Sequence, residues 1–237
     1  MLVVGFPAAA FGTNCFVLAT GPGTECVVVD PGIDVVKQLD DVLREHRLQP
    51  VAVLLTHGHL DHTFSVTPVC GAHGVSAWIH PDDRELLADP AKGFGPGTEQ
   101  LFGGRLEWTE PDDVELLSDG AVVPLAGLEF SVDHAPGHTR GSVMFRLPPG
   151  EGLVALGVPG RLLLSGDVLF AGSIGRTDLP GGDYPTMLRS LAAKVLPLAD
   201  DTVVLPGHGD ATTIGRERRT NPFLAEAAPG AGPYRGL

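Results

Sequence analysis

Three cysteines in 237 residues, at positions 15, 26 and 70, form an odd set without Cys-x-x-Cys spacing. A disulfide framework is therefore excluded as the organising principle, and a reducing, cytoplasmic location is the expectation. Basic residues are also scarce, with 16 Lys and Arg against 29 Asp and Glu and a formal net charge of −13. A protein that grips nucleic-acid backbone needs cations to displace counterions. Before "RERR" at 216–219 no basic run exists, so no nucleic-acid partner is expected. No apolar run approaches the 18 residues of a membrane span, so no membrane partner is expected. The first 36 residues contain neither Lys nor Arg, so the basic start of a secretory leader is missing and none is expected. No short-period repeat and no internal linker is visible.

What is present is a 43% hydrophobic chain, enough for a substantial core. Residues 1–6, 14–20 and 26–30 read as strands. Asp34 is placed to cap a helix whose apolar face is Val35, Val36, Leu39, Val42 and Leu43. The run 51–55 is a short buried strand, 62–72 a helix, 75–79 a strand, and 80–89 a turn and helix. The Gly-rich stretch 89–107 reads as a surface loop over the site. Residues 121–125 and 128–136 suggest a hairpin. Two more strands, 141–147 and 161–167, flank a Gly/Pro-rich turn at 148–160. A helix over 184–196, a strand from 201 and a short helix at 212–220 complete a domain over 1–224. The Pro/Gly-rich segment 225–237 is expected to be a disordered tail. Two batches of strands, each closing with helices, predict an α+β architecture of two mixed sheets face to face with helices outside.

Polar chemistry concentrates where the strands end. "THGHLDH" at 56–62 places His57, His59, Asp61 and His62 directly after the apolar run 51–55. Buried without partners, such side chains would each strand a polar group. Alternate residues of an extended segment point the same way, so His57 and His59 can chelate one cation while the following turn swings Asp61 and His62 toward a second. His138 in "APGHTRGS" supplies a third ligand for the first. Asp167 in "LSGD" can bridge both, and His208 in "LPGHGD" can complete the second. Taken singly, His138, Asp167 and His208 would read as ordinary loop or cap residues. Their recurrence after three successive apolar strands favours the ligand reading. Histidine nitrogen and aspartate oxygen suit zinc first, with manganese or iron also accepted. Asp30, ending "VVVD", reads as a support of this cluster, His134 as either a support or plain packing, and Cys70 as a small buried hydrophobe.

With "THGHLDH", "APGHTRGS", "SGDVLFAGSIGRTD", "LPGHGDATTIGRERRTNPF", "NC" at 14–15 and "VVVDPG" together, the sequence resembles the metallo-β-lactamase superfamily over about residues 1–224. Within it, the sequence looks most like the glyoxalase II-like (hydroxyacylglutathione hydrolase-like) enzymes in their short bacterial form. The resemblance implies an αββα sandwich and a dinuclear metal site. His57, His59 and His138 would hold one ion, Asp61, His62 and His208 the other, and Asp167 would bridge them. It implies hydrolysis of a small-thiol thioester, by attack of a hydroxide that bridges the ions and that Asp61 orients. Arg176 falls about where that family has a glutathione-contacting base, so it would pair with a substrate carboxylate or, alternatively, with Asp178. The chain departs from true β-lactamases of the superfamily, which often carry Cys at the place of Asp167. It lacks the helical C-terminal domain with which full-length glyoxalase II grips glutathione, which leaves the carrier thiol open. A persulfide dioxygenase with a single non-haem iron also shares the fold and a "GRTD" segment, and a lactone hydrolase could use the same site. A metal-stabilised scaffold is disfavoured because the ligand set leaves positions open for water. Oligomeric state is not legible in the sequence.

Overall fold

The computed structural model describes residues 1–95, 108–148 and 160–228. Two six-stranded mixed sheets face each other. The first, in spatial order, is β1 (Leu2–Pro7), β2 (Asn14–Ala19), β3 (Glu25–Val29), β4 (Gln49–Leu54), β5 (Ala77–Ile79) and β6 (Val114–Leu116). β1 to β3 pair antiparallel and β3 to β6 parallel. The second sheet runs β7 (Val122–Leu125), β8 (Leu128–His134), β9 (Val143–Leu147), β10 (Leu162–Gly166), β11 (Val203–Pro206) and β12 (Thr212–Thr213). It is antiparallel except where β10 meets β11.

Side-chain alternation along the strands sorts the core into three layers. Val27 and Val29 of β3 point between the sheets, joining Phe16, Leu54, Phe130, Phe145, Leu162, Leu164 and Leu205. Cys26 and Val28 point the other way, onto α1 (Val36–His46) and α3 (Val66–His73) through Leu39, Leu43 and Val69. Leu163 and Val204 face outward from the second sheet onto α6 (Tyr184–Ser190), α7 (Ile214–Thr220) and α8 (Pro222–Ala227) through Met187, Ile214 and Leu224. The four layers are the expected αββα sandwich. The remaining short helices are α2 (Leu60–Thr63), α4 (Arg84–Ala88) and α5 (Ala91–Phe94). Among the described residues, no helix is long and apolar enough to cross a membrane.

Several local expectations change. Asp34 does not cap α1: its φ of +58° is left-handed, outside the extended geometry of a capping residue, and Val35 occupies the N-cap position without a side-chain hydrogen bond. The helix expected over 62–72 is two pieces, α2 and α3. At the break, Ser65 donates its N–H to the Pro31 carbonyl at 2.9 Å and its hydroxyl to the Gly32 carbonyl at 2.6 Å. The helix over 184–196 ends in a π-type turn at Leu191–Val195. α8 carries helix to Ala227, inside the segment expected to be disordered; residues 229–237 lie outside the described residues, as do most of the loops expected at 89–107 and 148–160.

Candidate metal centre

The loops that carry the expected ligands leave the C-terminal ends of four strands, one in the first sheet and three in the second. His57 follows β4, His138 follows β8, Asp167 follows β10 directly, and His208 follows β11. The seven side chains predicted as ligands, from loops up to 151 residues apart in number, come together. All but His208 are buried.

Three nitrogens form a small triangle: His57 Nε2 to His59 Nδ1 is 3.2 Å, His59 Nδ1 to His138 Nε2 is 2.8 Å, and His138 Nε2 to His57 Nε2 is 3.2 Å. A tetrahedral ion with nitrogens at 2.0–2.1 Å would set such edges at about 3.3 Å. Beside it, His208 Nε2 lies 3.2 Å from Asp61 Oδ2 and 3.3 Å from His62 Nε2. Asp167 spans both groups: Oδ1 is 3.3 Å from His62 Nε2, while Oδ2 is 3.5 Å from both His138 Nε2 and His208 Nε2.

The outer nitrogens of these rings settle what the inner ones offer. His138 Nδ1 meets the Arg176 carbonyl at 2.7 Å, His208 Nδ1 the Phe11 carbonyl at 3.2 Å, and His62 Nδ1 the Asp30 carboxylate at 3.0 Å. Carbonyls and carboxylates only accept, so each Nδ1 carries the hydrogen. The Thr56 hydroxyl donates to Asp30 at 2.6 Å and therefore accepts from His57 Nδ1 at 3.1 Å. In the neutral rings, four Nε2 lone pairs thus face inward with no hydrogen between them. Asp167 Oδ1 has no hydrogen-bond donor, and His59 Nε2 has no partner among the described residues. Facing lone pairs and an orphaned buried carboxylate oxygen are costly without a cation among them. The donor set fits two divalent ions.

The two halves differ electrostatically. Burial, reinforced by the neighbouring imidazoles, drives His57 far below the usual histidine range. Burial and His138 likewise lower His59, to about 3. Burial opposes the charge on His62 as well, but Asp167, Asp61 and Asp30 outweigh it and raise that ring. His208 is raised in the same way by Asp61 and Asp167 against burial. Burial works against ionisation of Asp61 and Asp167, yet His62 and His208 hold both below the ordinary carboxylate value, helped at Asp61 by Thr13.

Residues that the motifs did not flag complete the centre. The Thr13 hydroxyl donates to Asp61 Oδ2 at 2.9 Å. Asn14 Nδ2 donates to the Pro206 and Gly209 carbonyls, at 3.0 and 2.9 Å, clamping the loop that carries His208. In the sequence, "NC" at 14–15 signals nothing beyond the family resemblance. The Phe94 ring lies 5.2 Å from His59, so the described start of the 89–107 segment does reach the site. Arg176 lends its carbonyl to His138, while its guanidinium makes a two-point pair with Asp178 at 2.7 and 2.8 Å. His80, Asp82 and His134 also cluster, but the two rings stack at 3.9 Å and 11°, so their in-plane lone pairs run parallel instead of converging. His134 is packing.

The match to the model of the metallo-beta-lactamase superfamily over residues 8–208 places the chain in that family, as a metal-dependent hydrolase. A hydroxyacylglutathione hydrolase, GloC, of Haemophilus influenzae is 35% identical over 218 residues, 92% of this chain and 95% of that one. Among solved structures, the B3 metallo-beta-lactamase BLEG-1 has a TM-score of 0.79 and 38% identity over 94% of this chain and 99% of its own. TTHA1623, solved in a di-iron-bound form, has a TM-score of 0.72 and 35% identity over 93% of this chain and 100% of its own.

Proposed function

We propose that the chain hydrolyses thioesters of a small thiol, of the S-2-hydroxyacylglutathione type, with two divalent cations as cofactors. The observation that carries this reading is the inward convergence of lone pairs from seven side chains on two adjoining groups of ligands. His57, His59 and His138 would hold one ion and Asp61, His62 and His208 the other, with Asp167 placed to serve both. When bound, such ions polarise the scissile carbonyl and bring the pKa of water from about 15.7 to about 7.

Asp61, fixed by Thr13, orients the attacking water beside its role as ligand. The leaving thiol has a pKa near about 8.5 and departs without a proton donor; the outer N–H groups of four of the rings are already committed to protein acceptors. The likeness to GloC, a hydroxyacylglutathione hydrolase, supports the thioester reading. Zinc is favoured by the affinity order, and iron is the alternative that TTHA1623 brings forward. The second group of ligands weighs against a single-iron persulfide dioxygenase. BLEG-1 brings a β-lactam into consideration, but its leaving amine needs a proton that the thiolate does not. Three free, buried cysteines suit a cytoplasmic location.

Metal quantification on purified protein, then a panel of S-lactoylglutathione, a lactone, a β-lactam and glutathione persulfide with an oxygen electrode, tests the reading. About two ions per chain with S-lactoylglutathione turnover is the expected result. One iron with oxygen uptake, or β-lactam turnover with an inert thioester, would overturn it.

A further inference from the structure

Asp83 is a buried carboxylate, 1% exposed, that the chemistry above does not employ. It closes the 3-10 turn Pro81–Asp83 after β5. Among the described residues no Lys or Arg pairs with it. Instead three donors converge on it. Oδ2 accepts the Gly58 N–H at 2.9 Å and the Thr139 hydroxyl at 2.6 Å, and Oδ1 accepts the Gly141 N–H at 2.7 Å. Gly58 is the residue between His57 and His59, and Thr139 directly follows His138. One carboxylate, on an element that carries no ligand, therefore joins the loop of the first sheet to the loop of the second at the three-imidazole group.

The approach leaves no slack. A Cβ at Gly141 would lie 2.6 Å from the Asp83 nitrogen and 2.7 Å from its Cγ, and one at Gly58 would lie 2.6 Å from Leu86 Cβ. A buried anion without a counter-cation persists only where strong donors offset its desolvation, and hydrogen bonds to a charged acceptor are the strong kind. Asparagine cannot replace it. It offers one oxygen to three donors and turns an NH2 toward a backbone N–H.

We propose that Asp83 is the positioning residue of the three-histidine site: it fixes His57, His59 and His138 relative to one another and so sets the affinity of that site for its cation, touching neither cation nor substrate. The inference rests on these imidazoles being metal ligands, and not on the identity of the substrate. An anchor of the fold alone would lower thermal stability and leave metal affinity unchanged.

Cobalt(II) titration of metal-stripped protein, followed by visible absorption, separates these roles without an activity measurement. Wild type is expected to bind two cobalt ions per chain. Asp83→Asn is expected to weaken the three-histidine site by about 10- to 100-fold, with the Asp61, His62 and His208 site less affected. Thr139→Val, which removes one of the three donors, is expected to give a smaller loss with an altered spectrum, and it decides the question should Asp83→Asn fail to fold. Wild-type affinities and spectra in both variants would overturn the positioning role while leaving the ligand assignment standing. A wild-type protein that binds no cobalt would instead overturn the ligand assignment and this inference with it.

Discussion

Gly207 shows how little room the centre leaves: a Cβ there would collide with Asp167 Oδ1 and stand 2.7 Å from His62 Cε1. Gly175 is under the same constraint, its Cβ colliding with the Asp167 carbonyl and lying 3.0 Å from His138 Nδ1. Glycine in "LPGH" and "SIGR" is thus a packing requirement of the neighbouring proposed ligands. Arg176 beside it has a different freedom. Its guanidinium is 61% exposed and held only by Asp178, and water-exposed ion pairs are weak. A substrate carboxylate can take the place of Asp178 at little cost. Arg176→Ala is expected to raise KM for S-lactoylglutathione roughly fivefold, the scale of one exposed charge pair, with kcat and metal content unchanged, because the carbonyl that holds His138 remains. Steady-state kinetics check this, and an unchanged KM would leave the guanidinium as a surface partner of Asp178.

Secondary elements carry the ligands unevenly. α2, four residues long, holds Asp61 and His62, and an isolated turn of that length does not sustain itself. Its N-cap is His59, itself a proposed ligand. Metal removal is therefore expected to raise amide hydrogen exchange across residues 57–63 and 207–209 at least tenfold, the scale of a local opening of about 1.4 kcal/mol, while β3 and β10 stay protected. Uniform protection with and without metal would show a turn preformed by Asp30 and Thr13 alone. What was legible in the sequence follows the same division. Continuous apolar runs exposed β4, β10 and β11, and the expected ligands that follow them could be read as a set. The break at Ser65 could not, because it is made by Pro31 and Gly32, more than 30 residues earlier. Thr13 and Asp83 were equally hidden. They meet their partners over separations of 48 residues for Thr13 with Asp61 and 56 for Asp83 with Thr139, and a lone threonine or aspartate carries no local pattern that announces such a contact.

At the scale of the whole molecule, each proposed ion joins the two sheets. His57 and His59 come from the first sheet and His138 from the second; Asp61 and His62 come from the first and His208 from the second. Metal binding is then folding free energy. At a free concentration 100 times Kd, each site adds about 2.7 kcal/mol, or roughly 5–11 °C of Tm for a chain of this size. The gain depends on pH through His62 and His208. Both are raised above the unfolded histidine value, so their protonation stabilises the metal-free fold below about pH 6.5. That contribution is lost as pH rises through their folded values. A cation must displace these same protons to enter, so acid favours the metal-free protein at the Asp61, His62 and His208 site. His57 and His59, held neutral by burial, present no such competition near neutrality. Lowering the pH from 8 to 6 is accordingly expected to shrink the metal-dependent rise in Tm and to release one of two ions, the first-sheet pair with His138 retaining its own. Calorimetry with metal analysis at both pH values checks this. An equal Tm gain and two retained ions at pH 6 would mean that Asp61 and Asp167 do not hold protons on their histidine neighbours.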